Sequence, residues 1–125
     1  MPTPTLPAFL RHAQAEESGI LDRHRLPDGS LDAPGLIAAA VAVRRQVQTL
    51  EAQVASIPEG ENCTTVRERC AILQARDILH RRLLSEHVAG WDQALTEAHR
   101  RHPGAKRAKA MQRAAQRLGL WEVKL

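Results

Sequence analysis

A heptad pattern of apolar residues in the first half of the chain is the feature that most constrains its fold. Its members recur at alternating spacings of four and three residues: Leu36, Ala40, Val43, Val47, Leu50, Val54 and Ile57. Three repeats of this kind are typical of a helix that packs along its length. Asp32 and Pro34 supply an N-cap and a first-turn proline. Pro58 would stop the helix, so we predict a helix over residues 34–57.

A second long helix is predicted over residues 65–100. Thr65-Val66-Arg67-Glu68 matches a capping box, which marks a helix start. One apolar stripe then contains Val66, Cys70, Leu73, Leu84, Val88, Trp91 and Leu95, and a second contains Ile72, Leu79 and Leu83. Gly90 is interpreted as a point of close approach between helices, with a local kink as the alternative. Because the connection is short, the two long helices should pack as an antiparallel hairpin.

Shorter helices are predicted on either side of this hairpin. The first covers residues 6–18, after a loose segment 1–5, with Ser18-Gly19 as its stop and a loop over 20–33. The other covers residues 105–118, between Pro103-Gly104 and Gly119. The tail 119–125 alternates apolar and charged residues, so it would pack as an extended strap or pair with another chain. We therefore expect a single helical domain.

Composition supports an all-α fold. The only aromatic residues are Phe9, Trp91 and Trp121, and Ala and Leu, which favour helices, dominate the apolar set. The chain has neither a long apolar run nor a signal-peptide pattern, so we expect a soluble, cytoplasmic protein. Cys63 and Cys70 should then be reduced.

Positive charge is concentrated towards the C-terminus. Residues 1–64 carry five basic and eight acidic residues, whereas residues 65–125 carry thirteen basic and six acidic residues. Seven cations lie between Ala98 and Trp121 without an acid among them: Arg100, Arg101, Lys106, Arg107, Lys109, Arg113 and Arg117. On a helix, four of them (Lys106, Lys109, Arg113, Arg117) share one face, and Ala108, Met111, Ala114, Ala115 and Leu118 occupy the other.

A basic amphipathic helix of this kind binds the nucleic-acid backbone, an anionic membrane or an acidic protein groove, or is simply a solvated surface. The membrane interpretation is the weakest, because the apolar face is mostly Ala. Arginine suits phosphate, which it contacts through two parallel hydrogen bonds. No helix-turn-helix, zinc-finger or RNP motif is present, so the sequence predicts backbone contact rather than base readout. Trp121 has three possible roles: it would stack on a base, anchor a protein interface or cap the end of the core. Trp91 should lie in the core.

No motif for catalysis or for a cofactor is visible. Asp77 and His80 stand one helical turn apart, and His87 continues the line. Such a pair resembles half of a helix-bundle metal site, but the apolar seam of the first long helix offers no further ligand. We therefore interpret Asp77 and His80 as a satisfied polar pair, a device that fixes helix register, or the point where the apolar stripe meets solvent. We expect no metal, cofactor or small-molecule substrate.

Two functions remain open, and neither is enzymatic. In the first, an accessory or regulatory protein contacts the nucleic-acid backbone through the C-terminal helix; in the second, an adaptor or inhibitor docks on an acidic protein through the hairpin or the tail. The predicted contact residues are Arg100, Arg101, Lys106, Lys109, Arg113, Arg117 and Trp121. The apolar surface exceeds what one hairpin buries, so a homodimeric bundle is expected. Its contacts would come from Leu36, Val43, Val47, Leu50, Val54, Leu79 and Leu83.

Overall fold

The computed structural model describes residues 11, 15–58 and 64–121, and this part of the chain is all-helical, as the sequence predicts. Its helices are α1 (Glu17–Arg23), α2 (Ala33–Ala55), α3 (Thr64–His87), α4 (Trp91–Arg101) and α5 (Arg107–Arg117). Across these residues the only β-type pairing is one isolated bridge, between Arg25 and Leu31. None of these helices is both long enough and apolar enough to cross a membrane.

The long helix α2 begins where its capping residues predict. The Asp32 side chain accepts a hydrogen bond from the Gly35 backbone amide at 3.1 Å, which satisfies one of the unpaired donors of the first turn. The helix ends at Ala55, shortly before Pro58. At the N-terminal end of its apolar seam, Leu36 and Ala40 are fully buried at 0% exposure.

The single helix predicted over residues 65–100 is wrong, because the chain forms α3 and α4 with a break between them. Gly90 adopts φ 77°, a left-handed conformation that glycine accommodates at little cost. A Cβ atom built there would lie 3.4 Å from Leu118 Cδ2, which is ordinary contact, so backbone conformation rather than close approach calls for glycine. Trp91 follows the break and is buried at 2% exposure, which confirms its predicted place in the core.

The helix stop predicted at Ser18-Gly19 is also wrong. Both residues lie inside α1, and residues 20–23, predicted as part of a loop, are helical. Ile20 packs in the core at 7% exposure, and its burial offsets the roughly 1 kcal/mol cost of a helical glycine. The remainder of the predicted helix over 6–18 lies mainly outside the described residues.

Helix α2 lies between α3 and α5. Arg44 on α2 contacts Asp77 on α3, and further along α2, Glu51 contacts Gln74, which comes earlier in α3. On another side of α2, the Gln48 side-chain oxygen accepts a hydrogen bond from the Ala108 amide of α5 at 3.3 Å. The hydrophobic core combines apolar residues of all five helices. The remaining side of α2 faces outward.

Candidate nucleic-acid interface

Helix α5 packs an alanine-rich face on the core. The buried residues of this face are Ala108, Ala110, Met111, Ala114 and Ala115. Lys109 and Arg117 are exposed on its other side, Arg113 is half-buried, and Lys106 is exposed immediately before the helix. In the part of the chain that the structure covers, no carboxylate forms an ion pair with any of these four cations.

The start of α5 carries positive charge where a helix favours negative charge. Lys106, Arg107 and Lys109 lie at or within the first turn, which contains no acidic residue. The helix dipole makes each such cation unfavourable, by roughly 0.3–1 kcal/mol at an exposed site. These cations therefore do not stabilise α5. Positive charge at a helix start is expected where an anion binds.

Two of the predicted contact residues form ion pairs with an acid that precedes them in the sequence. The Arg100 Nε atom lies 3.0 Å from Glu97 Oε2, and the Arg101 Nε atom lies 2.9 Å from Glu97 Oε1. Hydrogen bonds from Arg100 and Arg101 lower the pKa of Glu97 to about 2. These two arginines therefore share the Glu97 carboxylate, unlike Lys106, Lys109, Arg113 and Arg117.

Three adjoining grooves connect the outward side of α2 with its two neighbours. One lies between α2 and α3, the next along α2 itself, and the third between α2 and the start of α5. Arg45 lines all three grooves. Their other cations are Arg69 and Arg76 from α3 and Lys106, Lys109 and Arg113 from the α5 side. We call these six residues the basic face; among the described residues, no Asp or Glu lines the three grooves.

Half of the basic face was missed from the sequence. Arg45, Arg69 and Arg76 lie on helices whose apolar stripes dominate their pattern, and they join the C-terminal cations only through packing. A usable signal was present in α2: the twelve residues from Arg45 to Ser56 contain a single acid, Glu51. Glu51 contacts Gln74 and is not among the residues that line the grooves.

The two remaining predicted contact residues lie away from the grooves. Arg117 is exposed at the end of α5 and lines none of the three. Trp121 is half-buried and packs against the core, which matches the alternative that it caps the core end. The tail beyond it, residues 122–125, lies outside the described residues.

Asp77 and His80 have separate partners rather than each other. Asp77 Oδ2 lies 3.1 Å from Arg44 Nη1 and 3.5 Å from Arg81 Nε, and the carboxylate side chain is only 3% exposed. The His80 Nδ1 atom lies 2.8 Å from the Arg76 carbonyl oxygen, and burial lowers the pKa of the imidazole. Within the described ranges, no three His, Cys, Asp or Glu side chains are grouped as metal ligands.

The predicted self-association residues divide into two groups. Leu36, Val47, Leu79 and Leu83 are at most 2% exposed within the single chain, so the fold does not offer them to a second copy. The prediction considered one helical hairpin, whereas other helices of the same chain complete the core around Leu36, Leu79 and Leu83. Val43, Leu50 and Val54 stay partly exposed.

Comparison with protein-family models found no match to this chain, and comparisons with curated proteins and with solved structures found none either.

Proposed function

We propose that this protein is a non-enzymatic accessory or regulatory protein that binds the backbone of nucleic acids through the basic face. One observation carries the proposal: six cations from three neighbouring parts of the fold line adjoining grooves that no described carboxylate lines. A phosphate backbone presents regularly spaced negative charges, and a protein gains affinity by neutralising several of them together.

The scaffold in this proposal is an antiparallel hairpin of α2 and α3 with α5 docked beside it. Arg45 comes from one helix of the hairpin and Arg69 and Arg76 from the other, while α5 adds Lys109 and Arg113. Because the alanine-rich face of α5 is buried, its cations are held in a fixed position relative to α2. Cations on packed helices lose less conformational freedom on binding than cations on a loop would.

The test compares two double variants of equal charge. Lys109→Ala/Arg113→Ala removes two cations of the basic face, and Arg100→Ala/Arg101→Ala removes two that share the Glu97 carboxylate. Titrations with a generic DNA duplex near 0.1 M salt should show about a tenfold or larger loss of affinity for the first variant, because two phosphate contacts disappear. The second should bind within about threefold of the unmodified protein.

Circular dichroism provides the control, since both variants should keep the helical signal of the unmodified protein. Equal losses in the two variants would mean that net charge alone governs binding. No measurable binding of any nucleic acid by the unmodified protein would end the proposal.

A second candidate is an adaptor or inhibitor that docks on an acidic protein. It is favoured by the groove between α2 and α3, where Leu50, Ile72 and Leu73 line the same space as the arginines of the basic face. Such a groove suits an amphipathic segment with acidic edges. This candidate predicts that Ile72→Asn, which adds no charge to the groove, strongly weakens binding of acidic amphipathic peptides but has a small effect on nucleic-acid affinity.

We retain homodimer formation as a prediction, now limited to Val43, Leu50 and Val54 among the residues first considered. Light scattering at tens of micromolar protein measures it directly. A monodisperse monomer would remove this part of the proposal.

A further inference from the structure

We propose that the outward side of α2 reads base edges in the major groove of duplex DNA, with the other five residues of the basic face, all but Arg45, holding the two flanking backbones. This inference rests on the proposed function and names the nucleic acid and the kind of recognition. The exposed residues that would read the bases are Arg45, Thr49 and Gln53, which recur every four residues along one side of α2.

The position of α2 among its neighbours makes this geometry available. Val47 is buried towards the core and Gln48 contacts α5, whereas Arg45, Thr49 and Gln53 point away from both. Grooves run along both sides of this stripe, and we call the stripe between them the ridge. A B-DNA major groove is about 12 Å wide and admits one α-helix. From Arg45 to Gln53 the helix advances about 12 Å, at 1.5 Å per residue, which is enough to span several bases.

The flanking cations lie where the two strands of such a duplex would pass. Arg69 and Arg76 stand on the α3 side of the ridge, and Lys106, Lys109 and Arg113 stand on the α5 side. Packed helices have axes about 8–10 Å apart, so a helix in the groove brings its two neighbours over the sugar-phosphate walls. Cations on one side only would instead favour binding along a single strand.

The side chains of the ridge have the chemistry that base recognition uses. Arginine makes paired hydrogen bonds with guanine, glutamine does so with adenine, and the methyl group of threonine contacts thymine. The Thr49 hydroxyl donates to the Arg45 carbonyl oxygen at 3.1 Å, so its hydrogen bond is made within the helix. Within the described residues, no hydrogen bond holds the side chain of Arg45 or of Gln53.

The experiment selects binding sites from a pool of random-sequence DNA duplexes. The unmodified protein should enrich one short motif and prefer it over random duplex by about tenfold or more. Thr49→Ala/Gln53→Ala leaves the charge unchanged and introduces a better helix former, so it should fold. We expect this variant to lose the preference while binding random duplex within about threefold of the unmodified protein.

The conservative substitution Gln53→Glu tests base reading directly, because a residue with only a structural role would not change which base is selected. Glutamate accepts a hydrogen bond from cytosine where glutamine pairs with adenine. Gln53→Glu should therefore change the selected base at one position of the motif and leave the other positions as they were.

The outcomes separate this inference from the proposed function. If the unmodified protein binds random duplex but enriches no motif, or if Thr49→Ala/Gln53→Ala keeps the motif, base readout by α2 is wrong and backbone binding stands. Equal affinity for double-stranded RNA, whose deep and narrow major groove excludes a helix, would also overturn it. A protein that binds no nucleic acid at all contradicts both proposals.

Discussion

At the scale of single residues, a buried carboxylate lies where arginine side chains of three helices come together. Asp77 is 2% exposed, and its partners Arg44 and Arg81 come from α2 and from its own helix. The pKa of Arg107 on α5 is lowered, first by burial and then by the nearby positive charges of Arg81 and Arg44. The carboxylate therefore offsets several guanidinium groups that would otherwise repel one another.

Replacing Asp77 should destabilise the fold strongly. Asp77→Ala leaves Arg44 and Arg81 without their counter-charge, and breaking a buried pair from one side costs about 3 kcal/mol or more. Urea denaturation measures the change. As a control, Glu86→Ala removes a half-exposed carboxylate whose pairing with Arg82 is worth at most about 1 kcal/mol. A double variant, Arg44→Met/Asp77→Leu, should recover part of the loss; if it is as unstable as Asp77→Ala, the unpaired charge is not the cause.

His80 should make stability depend on pH in one direction. Burial lowers the pKa of the folded-state imidazole below its usual value of 6.5, so the unfolded chain binds a proton at a pH where the folded chain does not. The free energy of unfolding should then fall as the pH decreases below about 6.5, until the folded-state pKa is also passed. Denaturation series between pH 5 and 8 measure this dependence. His80→Gln should reduce it, whereas His87→Gln, an exposed control, should change it little; equal slopes would contradict the assignment to His80.

At the scale of elements, backbone conformation and tertiary burial determine where helices end. Gly90 lies in the break between α3 and α4, where its positive φ interrupts the helical path, although the apolar stripe continues through Trp91. Gly19 has no such conformation and lies inside α1, where Ile20 supplies the packing. Identical residue types therefore have opposite roles in the two places.

These two glycines give a matched pair of substitutions. Gly90→Ala should destabilise the protein by about 1–2 kcal/mol, because an L-residue is strained in the left-handed region. Gly19→Ala should stabilise it by about 0.5–1 kcal/mol, since alanine loses less backbone freedom in a helix and nothing lies within 4 Å of the added Cβ. Thermal denaturation of both variants measures the difference. Shifts of the same sign would show that backbone conformation does not distinguish the two sites.

At the scale of the whole molecule, the distribution of charge matters more than the net charge of +4. Packing brings cations from α2, α3 and the α5 region to the grooves of the basic face, while Arg100 and Arg101 pair with Glu97 outside it. A surface of this kind should bind polyanions more strongly than the modest net charge suggests.

The dependence of binding on salt should report the size of this surface. If all six cations contact phosphates of duplex DNA, the logarithm of the association constant falls with the logarithm of salt concentration with a slope of about −5. Lys109→Ala/Arg113→Ala should make the slope shallower by about 2. Binding isotherms at four salt concentrations measure both slopes, and Arg100→Ala/Arg101→Ala is the control expected to leave the slope nearly unchanged. An unchanged slope in the first variant would exclude Lys109 and Arg113 from the contact surface.

Much of the helical content follows from the sequence, because its signals act over a few residues. The apolar spacing of α2, the Asp32 cap and the alanine-rich face of α5 depend on helical periodicity and on local hydrogen bonds. The sequence by itself therefore determined the fold class and the near bounds of α2 and α5. It did not determine whether Gly19 or Gly90 ends a helix, since the burial of Ile20 and the backbone turn at Gly90 depend on distant neighbours.

Only the tertiary structure decided which side chains share a surface. Arg45 and Lys109 are far apart in the sequence and line one groove, whereas Arg100 and Arg101, adjacent to the C-terminal cations in sequence, pair with Glu97. From the sequence, Leu79 and Leu83 form an apolar side of one helix that is expected to contact a second copy. In the structure, other helices of the same chain bury both residues. The physical reason is that charge pairing and burial depend on distances in space, which periodicity along a single helix does not specify.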